Sequence, residues 1–296
     1  MKLKIITSYK PGTWKSFAKR GIHSMAEKFP KDVDIFLYCE EQKPQDVKNR
    51  IQCIDLIKAE PELFNFKNKY KDDPVANGKL TQIPDGVRRS NTLQGLDKDK
   101  ESFLWDAVRF SNKVFCIINA VRNSKDYDYV LWIDADTFTF RPVPLDFFQN
   151  LLPHDTMLTY LGRENPTLND GGVYPECGFV GYNLRHPEIQ NFITDWENLY
   201  KTGEVFDILE WHDSFVFWHL SKIYRKNKNI KVHDIGYQKG VKGHHVFINS
   251  ELGLYMDHFK GKRKSRGTSA KKDLRENPNA SVTVQEIDYW KKVPPA

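Results

Sequence analysis

The feature that most constrains this fold is an abrupt change from apolar to acidic residues at position 134. Five apolar residues, Tyr129 to Ile133, predict a short buried strand, and Asp134-Ala135-Asp136 follow it directly. Carboxylates just past a strand lie at the edge where open α/β sheets bind ligands. Mg²⁺ and Mn²⁺ prefer carboxylate and phosphate oxygens. The pattern predicts a metal site for a nucleotide diphosphate, and a solvated acidic turn is the alternative.

Strand and helix patterns alternate along the chain. The predicted strands are Leu3–Thr7, Asp34–Cys39, Tyr129–Ile133 and Cys177–Asn183. The predicted helices run from after the loop Ser8–Gly12 to about Phe29, from Phe103 to Val121, and from Pro187 to Thr202. This alternation is typical of an α/β fold.

The composition favours a globular protein of the cytoplasm. Apolar residues make up 40% of the chain, and no apolar run approaches the roughly 18 residues of a membrane span. The amino terminus enters a strand pattern directly, so we expect no signal peptide. The four cysteines lack metal-type spacing, and we expect neither disulfides nor zinc. The expected location is the cytoplasm, which for a viral protein is that of its host.

The acidic motif and a later histidine resemble glycosyltransferases of the GT-A fold. In that superfamily a DxD binds a divalent ion and the sugar nucleotide, and a later histidine often completes the metal shell. The pattern HFxGxxK from His258 to Lys264 resembles the carboxyl-terminal element of glycosyltransferase family 8, the glycogenin-like retaining enzymes. The resemblance spans about residues 101 to 264. It implies an α/β, Rossmann-like single domain with a mixed central sheet flanked by helices.

The resemblance also implies a set of donor ligands. Asp134, Asp136 and His258 are the implied ligands of Mn²⁺ or Mg²⁺. Asp134, Ala135 and Lys264 are the implied contacts of the nucleotide sugar, for which a UDP sugar is expected. Retention of the anomeric configuration is the outcome that family 8 favours.

Three lysines near the carboxyl terminus are candidates for the residue that contacts the diphosphate. The aromatic residue and proline that usually follow the family lysine are absent here, so the diphosphate lysine stays open among Lys260, Lys262 and Lys264. The stretch from 260 to 275 carries eight basic residues against one acidic residue. Such a run favours anions, which include a diphosphate and a nucleic-acid backbone, and a solvated loop is the alternative.

Several residues are candidates for the nucleoside and the diphosphate. Thr7, Ser8 and Tyr9 follow the first strand, where GT-A enzymes contact the base and ribose, although Tyr9 could equally pack at the strand end. Arg109 and Lys113 form a row on the helix before the DxD, from which they would reach the diphosphate or the sugar. An exposed row of charges is the alternative.

Two carboxylates are the candidate catalytic residues. Asp213 lies in a polar cluster where related enzymes carry an acidic residue near the acceptor, and helix capping is its alternative role. Glu176 precedes the strand that by resemblance lines the donor-sugar pocket, with Cys177 beside it and Asp170 as a weaker candidate. His212 is either a ligand contact or a structural histidine.

The chain is expected to form one domain over residues 1–264, with an insertion at about 55–100 and a basic extension at 265–296. The insertion contains three aromatic residues that would help to form a pocket for a flipped DNA base, namely Phe64, Phe66 and Tyr70.

The predicted activity is metal-dependent transfer of a hexose or pentose from a nucleotide sugar to an acceptor hydroxyl. The acceptor stays open among hydroxymethylated DNA, as used by phage enzymes, and a glycan, lipid or protein. A nucleotidyltransferase is less favoured, because the loop after the first strand lacks a glycine-rich phosphate motif. A carbohydrate- or nucleic-acid-binding protein without activity has no need of a complete diphosphate-metal site.

Overall fold

The fold is built on a mixed β-sheet. The computed structural model describes residues 1–79, 102–163, 174–236, 245–274 and 284–295. Its strands are β1 Leu3–Tyr9, β2 Asp34–Cys39, β3 Ile51–Asp55, β4 Tyr129–Ile133, β5 Thr137–Thr139, β6 Leu158–Leu161, β7 Glu176–Asn183, β8 Val232–Asp234 and β9 Met256–His258. Seven of these form one sheet in the order β3-β2-β1-β4-β7-β6-β8. The first four strands in that order run parallel, and β7 runs antiparallel to both of its neighbours.

Helices cover both faces of this sheet. They are α1 Lys19–Lys28, α2 Leu56–Ala59, α3 Pro61–Tyr70, α4 Ala107–Arg122, α5 Leu145–Leu151, α6 Ile189–Thr202, α7 Asp213–Asn227, α8 Val246–Asn249, α9 Arg263–Arg266 and α10 Asp288–Lys292. Successive strand residues point to opposite faces, so Ile6 and Trp132 pack with α3, α4, α6 and α7, whereas Ile5 and Leu131 pack with α1, α5 and α8. The predicted α/β architecture, a mixed central sheet flanked by helices, is confirmed.

The helix before the acidic motif starts later than predicted. It begins at Ala107 rather than Phe103, because Asp106 caps it by accepting a hydrogen bond of 3.1 Å from the backbone N–H of Arg109. Phe103 lies instead in a 3₁₀ turn, Ser102–Trp105, and its side chain reaches the surface.

Two other boundaries also differ from the predicted ones. Strand β1 continues through Tyr9, so Ser8 and Tyr9 are strand residues rather than loop residues, because they pair with β2. Helix α6 begins at Ile189, two residues after Pro187, and ends before Gly203, whose φ of 89° is the left-handed conformation that terminates many helices.

The described part of the predicted insertion is regular structure. Strand β3 precedes it, and α2 and α3 follow within it, while residues 80–101 lie outside the described ranges. Leu63 and Phe66 of α3 are buried in the core, and Phe64 is exposed. In the carboxyl-terminal extension, Trp290 is buried and its indole N–H donates to the carbonyl of Gly253 at 2.7 Å. The division into a domain, an insertion and an extension stays a prediction.

Candidate metal and nucleotide site

The acidic motif lies where the sequence pattern predicted, at the carboxyl end of β4. The indole N–H of Trp132 donates to Oδ1 of Asp134 at 2.6 Å and fixes the orientation of that carboxylate. The chain then turns at once into β5, which pairs antiparallel with β9 so that Thr137 faces His258. This small two-stranded sheet brings His258 to the acidic motif from more than a hundred residues further along the chain.

The predicted metal ligands converge in space. Nε2 of His258 lies 3.5 Å from Oδ2 of Asp134 and 3.2 Å from Oδ1 of Asp136. One ligand atom from each of the three residues falls within 4.8 Å of the others, which makes them a candidate metal-binding set among the residues that the structure describes. Two carboxylates and an imidazole are suitable donors for Mn²⁺, and carboxylates with waters and phosphate oxygens are suitable for Mg²⁺.

The electrostatics of the set favour a positive charge at this point. Burial lowers the pKa of His258, but Asp136, Asp134 and Glu176 raise it, and the net pKa lies well above its usual value. Burial raises the pKa of Asp136, but His258 lowers it by more than burial raises it, so the net pKa is below its ordinary value. The two carboxylates therefore create a local field that stabilises a cation, and a divalent ion held by His258 would take the place of the proton on Nε2.

Glu176 lies behind the histidine. Its side chain is only 1% exposed, and its Oε1 lies 3.1 Å from Nδ1 of His258 and 3.3 Å from Nζ of Lys260. Its second oxygen contacts the guanidinium of Arg163. Burial raises the pKa of Glu176, but Lys260, His258 and Arg163 together hold it well below its usual value. Glu176 is therefore an ionised carboxylate surrounded by cationic groups.

The structure narrows the choice of diphosphate lysine. Nζ of Lys264 lies 2.9 Å from Oδ2 of Asp136, and Lys260 contacts Glu176, and both side chains line the cavity around the acidic motif. Lys262 is exposed and is not part of the cavity wall. Two positive groups therefore lie beside the predicted metal ligands, where a diphosphate would need them.

Lys113 is an internal bridge rather than an exposed residue. Its Nζ lies 3.0 Å from Oδ1 of Asp134, 2.8 Å from Oδ2 of Asp213 and 2.6 Å from the carbonyl oxygen of Cys177. The ammonium donates hydrogen bonds to Asp134 and to the carbonyl of Cys177, and it forms an ion pair with Asp213. Burial lowers the pKa of Lys113, but the two aspartates raise it above its usual value. Direct binding of a diphosphate by Lys113, as predicted, would require one of these contacts to break.

Asp213 is held by this bridge and is not a helix cap. It is the first residue of α7, and His212 occupies the capping position without a side-chain capping bond. Asp213 lines the same cavity as the acidic motif. The structure thus links the candidate catalytic carboxylate to Asp134 through a single lysine.

The cavity has a volume of about 760 Å³, a size typical of small-molecule sites. Nearly all of the predicted site residues line it, namely Ser8, Tyr9, Arg109, Lys113, Asp134, Ala135, Asp136, Glu176, Asp213, His258 and Lys264. Thr7 does not, because its side chain is fully buried within β1. Asp170 lies outside the described residues. Phe64, Phe66 and Tyr70 are not among the described residues that line this cavity, and the base pocket stays a prediction.

Tyr9 packs at the end of its strand and also reaches the cavity wall. Its ring packs against Trp14 with 5.2 Å between the ring centroids, and the residue is 8% exposed at the cavity wall. Burial raises the pKa of its hydroxyl to about 12, so the group stays protonated at neutral pH.

Glu40 is a cavity residue that the sequence interpretation missed. It follows β2 directly, lines the cavity, and accepts a hydrogen bond of 3.1 Å from the hydroxyl of Ser8. Burial raises its pKa to about 7, and the bond from Ser8 opposes that shift. A carboxylate immediately after a buried strand is the signal that marked Asp134, and the same reasoning would have found Glu40.

The basic stretch is divided between residues that contact carboxylates and residues that are exposed. The guanidinium of Arg263 pairs with both oxygens of Asp273, at 2.9 and 2.5 Å. Lys260 and Lys264 contact carboxylates of the cavity. The remaining described basic residues of the stretch are exposed, namely Lys262, Arg266, Lys271 and Lys272. Arg275 lies outside the described residues.

Among the described helices, none is long and apolar enough to cross a membrane.

No family model matches the chain, and no curated protein matches it. One similar solved structure is a glycosyltransferase involved in the glycosylation of the major capsid of PBCV-1, with a TM-score of 0.44 and 10% identity, covering 90% of this chain and 97% of that chain. Another is the apo form of mouse xyloside xylosyltransferase 1, with a TM-score of 0.42 and 14% identity, covering 80% of this chain and 86% of that chain. Likenesses this weak do not assign a function.

Proposed function

We propose that this protein is a metal-dependent glycosyltransferase of the GT-A type that uses a nucleotide sugar. The observation that carries the proposal is the convergence of Asp134, Asp136 and His258 on one cavity that also contains Lys260 and Lys264. A carboxylate–imidazole set beside two lysines suits a diphosphate and its metal ion better than it suits a neutral ligand.

The donor would lie across the carboxyl ends of β1, β2 and β4. Ser8, Tyr9 and Glu40 line the part of the cavity that belongs to β1 and β2, which suits the base and ribose of a UDP sugar. Asp134, Asp136 and His258 would hold Mn²⁺ or Mg²⁺, which when bound would supply charge neutralisation for the departing nucleoside diphosphate.

The lysines and carboxylates of the chain would complete the reaction site. Lys264 and Lys260 would add positive charge where the leaving group develops negative charge. Asp213 would accept a proton from the acceptor hydroxyl, orient that hydroxyl, or stabilise positive charge on the sugar. We propose transfer with retention, on the basis of the family 8 resemblance. The transferred sugar would be a hexose or a pentose.

Glu176 would act through the histidine. Its carboxylate beside Nδ1 favours a proton on that nitrogen, which leaves Nε2 to face Asp134 and Asp136. We therefore propose Glu176 as a positioning residue in place of the catalytic role predicted from the sequence.

The test is the release of nucleoside diphosphate from a panel of UDP and GDP sugars, with the sugar passing to water or to added methyl glycosides as acceptors, with and without Mn²⁺. We expect Mn²⁺-dependent release by the wild type with at least one donor, and loss of that release in Asp136→Ala. Asp155→Ala is the matched control, because Asp155 is an exposed carboxylate that pairs with Lys231 at 3.1 Å away from the cavity.

Release that does not depend on Mn²⁺, or that survives in Asp136→Ala, would refute the metal site. No release with any donor would favour a carbohydrate- or nucleic-acid-binding protein. Adding hydroxymethylated DNA to the same reactions tests the DNA acceptor, for which four basic residues of the stretch are exposed, namely Lys262, Arg266, Lys271 and Lys272.

A further inference from the structure

Four aromatic side chains form one wall of the cavity beside Asp213. They are Phe103, Phe110, Tyr174 and His212, and together they are called the aromatic wall. The ring of His212 lies 5.7 Å from Phe103, 5.9 Å from Phe110 and 4.6 Å from Tyr174, measured between ring centroids. We propose that the aromatic wall stacks against a carbohydrate ring of the acceptor, an inference that rests on the proposed glycosyl transfer.

The wall lies next to the candidate catalytic carboxylate. His212 and Asp213 are consecutive residues, and Asp213 is bonded to Lys113, which in turn contacts Asp134. Phe110 is on the same helix as Lys113, three residues earlier, which places the two side chains on neighbouring positions of one helix face. The contacts thus run from the metal ligands through Lys113 and Asp213 to the wall. This order fits a donor at the metal ligands, the reacting groups at Asp213 and an acceptor at the wall.

The wall is packed against the protein on its inner side and exposed at Phe103. His212 is 3% exposed, and its Nε2 lies 2.9 Å from Oε2 of Glu210, which fixes the imidazole ring. Tyr174 packs edge-on against His212, and Phe215 supports both from behind. Phe103, in contrast, is 41% exposed, one of three large apolar side chains among the described residues that are this accessible.

This combination suits a sugar ring. A pyranose has a face of C–H groups that carry partial positive charge, and the π face of an aromatic ring carries partial negative charge. Stacking of the two faces removes apolar surface from water without removing the hydroxyl groups at the ring edge from their partners. A fixed aromatic surface also binds with little loss of side-chain entropy.

The charges around the wall favour an uncharged acceptor over a polyanion. Asp106 lines the cavity near Phe103, Glu210 contacts His212, and Asp213 follows it. Each of these carboxylates has one partner among the residues that the structure describes, and its other lone pairs would accept hydrogen bonds from sugar hydroxyls but would repel the phosphates of a nucleic-acid backbone. Arg109 is a cation beside the wall, with its guanidinium 5.2 Å from the ring of Phe110. A glycan is therefore the acceptor class that the wall fits best.

The chain offers a matched pair of variants. Phe103→Ala removes the exposed ring of the wall, and Phe64→Ala removes a ring that is 54% exposed but lies outside the described cavity wall. Both rings are largely accessible, so neither variant is expected to prevent folding. Phe103→Tyr keeps an aromatic face and should behave as the wild type.

Binding is measured directly with methyl glycosides of glucose, galactose and xylose, by saturation-transfer NMR in the absence of donor and metal. We expect saturation of the C–H protons on one ring face of at least one glycoside. Its dissociation constant should rise about tenfold in Phe103→Ala, the effect of losing roughly one aromatic contact, and stay unchanged in Phe64→Ala and Phe103→Tyr.

Three results would overturn the assignment: equal glycoside binding by wild type and Phe103→Ala, no glycoside binding at all, or Phe103-dependent binding of a hydroxymethylated DNA duplex without glycoside binding. These outcomes are separable from those of the proposed transfer. Glycoside binding without nucleoside diphosphate release would defeat the transferase proposal alone, and release without glycoside binding would defeat the aromatic wall alone.

Discussion

Replacement of Lys113 by methionine gives the sharpest energetic prediction for the site. Methionine has a similar length and an apolar stem, so Lys113→Met removes the charge with little change in volume. The ammonium lies 3.0 Å from Asp134 and 2.8 Å from Asp213. Without it, two neighbouring carboxylates lose their common counter-charge.

The magnitude follows from the distances and the burial. Two unit charges about 3 Å apart attract each other by about 5–6 kcal/mol at an effective dielectric constant of about 20, for each of the two pairs. The desolvation of a buried ion offsets several kcal/mol of this attraction, and removal of one partner of a buried pair costs about 3–5 kcal/mol. The side chain of Asp134 is 27% exposed, so we expect a cost near the lower end of this range of about 3–5 kcal/mol.

We therefore expect Lys113→Met to lower the free energy of unfolding by about 3 kcal/mol, or the melting temperature by about 6 °C at roughly 2 °C per kcal/mol. Mn²⁺ should restore part of this loss, because the ion would bind next to Asp134. The assay is thermal and urea unfolding with and without Mn²⁺.

Lys58→Met is the matched control, because Lys58 pairs with Asp55 at 3.1 Å but its side chain is 84% exposed. A surface pair of this kind contributes about 0–1 kcal/mol. If Lys113→Met destabilises the protein no more than Lys58→Met does, the internal bridge is not the arrangement in solution.

Three further predictions concern single residues of the cavity. Because burial raises the pKa of Glu40 from 4.5 to about 7, its proton stabilises the folded state at acid pH, and this contribution is lost as the pH rises from about 4.5 through 7. The unfolding free energy of the wild type should fall by at most about 3 kcal/mol between about pH 5 and about pH 8, and that of Glu40→Gln should not show this fall. Identical urea midpoints for variant and wild type at both pH values would contradict this. Gly178→Ala places a methyl group 2.8 Å from Cε1 of His258, so calorimetry should show Mn²⁺ binding about tenfold weaker or more, and unchanged affinity would show that the ring is free to shift. Glu176→Gln should weaken Mn²⁺ binding by about 10- to 100-fold with the donor set intact, and a smaller effect would exclude a positioning role.

The parts of the site that the sequence predicted are those encoded in short local patterns. The apolar run that stops just before Asp134 predicts both the strand and the residue at which it ends, and the structure places β4 at the predicted residues. The amphipathic spacing likewise predicts that helices α4 and α6 exist. Their predicted starts are wrong by two to four residues, because local capping decides where a helix begins.

The remaining features depend on pairings between distant segments. Strands β5 and β9 have only three residues each, too short to leave an apolar pattern, yet they bring His258 to the acidic motif. Lys113 has the same sequence context as an exposed helix lysine, and only the positions of Asp134 and Asp213 make it internal. The spacing of apolar residues predicts Phe103 as the first residue of a helix, but Phe103 lies before that helix and lines the cavity.

A crystal structure of the protein with Mn²⁺ and UDP, with the ion located by its anomalous scattering, would show directly whether this cavity binds a metal and a nucleotide. We expect one Mn²⁺ within coordination distance of Asp136 and His258, bridged to the diphosphate, with Lys264 or Lys260 on the phosphate oxygens. Mn²⁺ at another position, or UDP bound away from Asp134 and Asp136, would contradict this expectation.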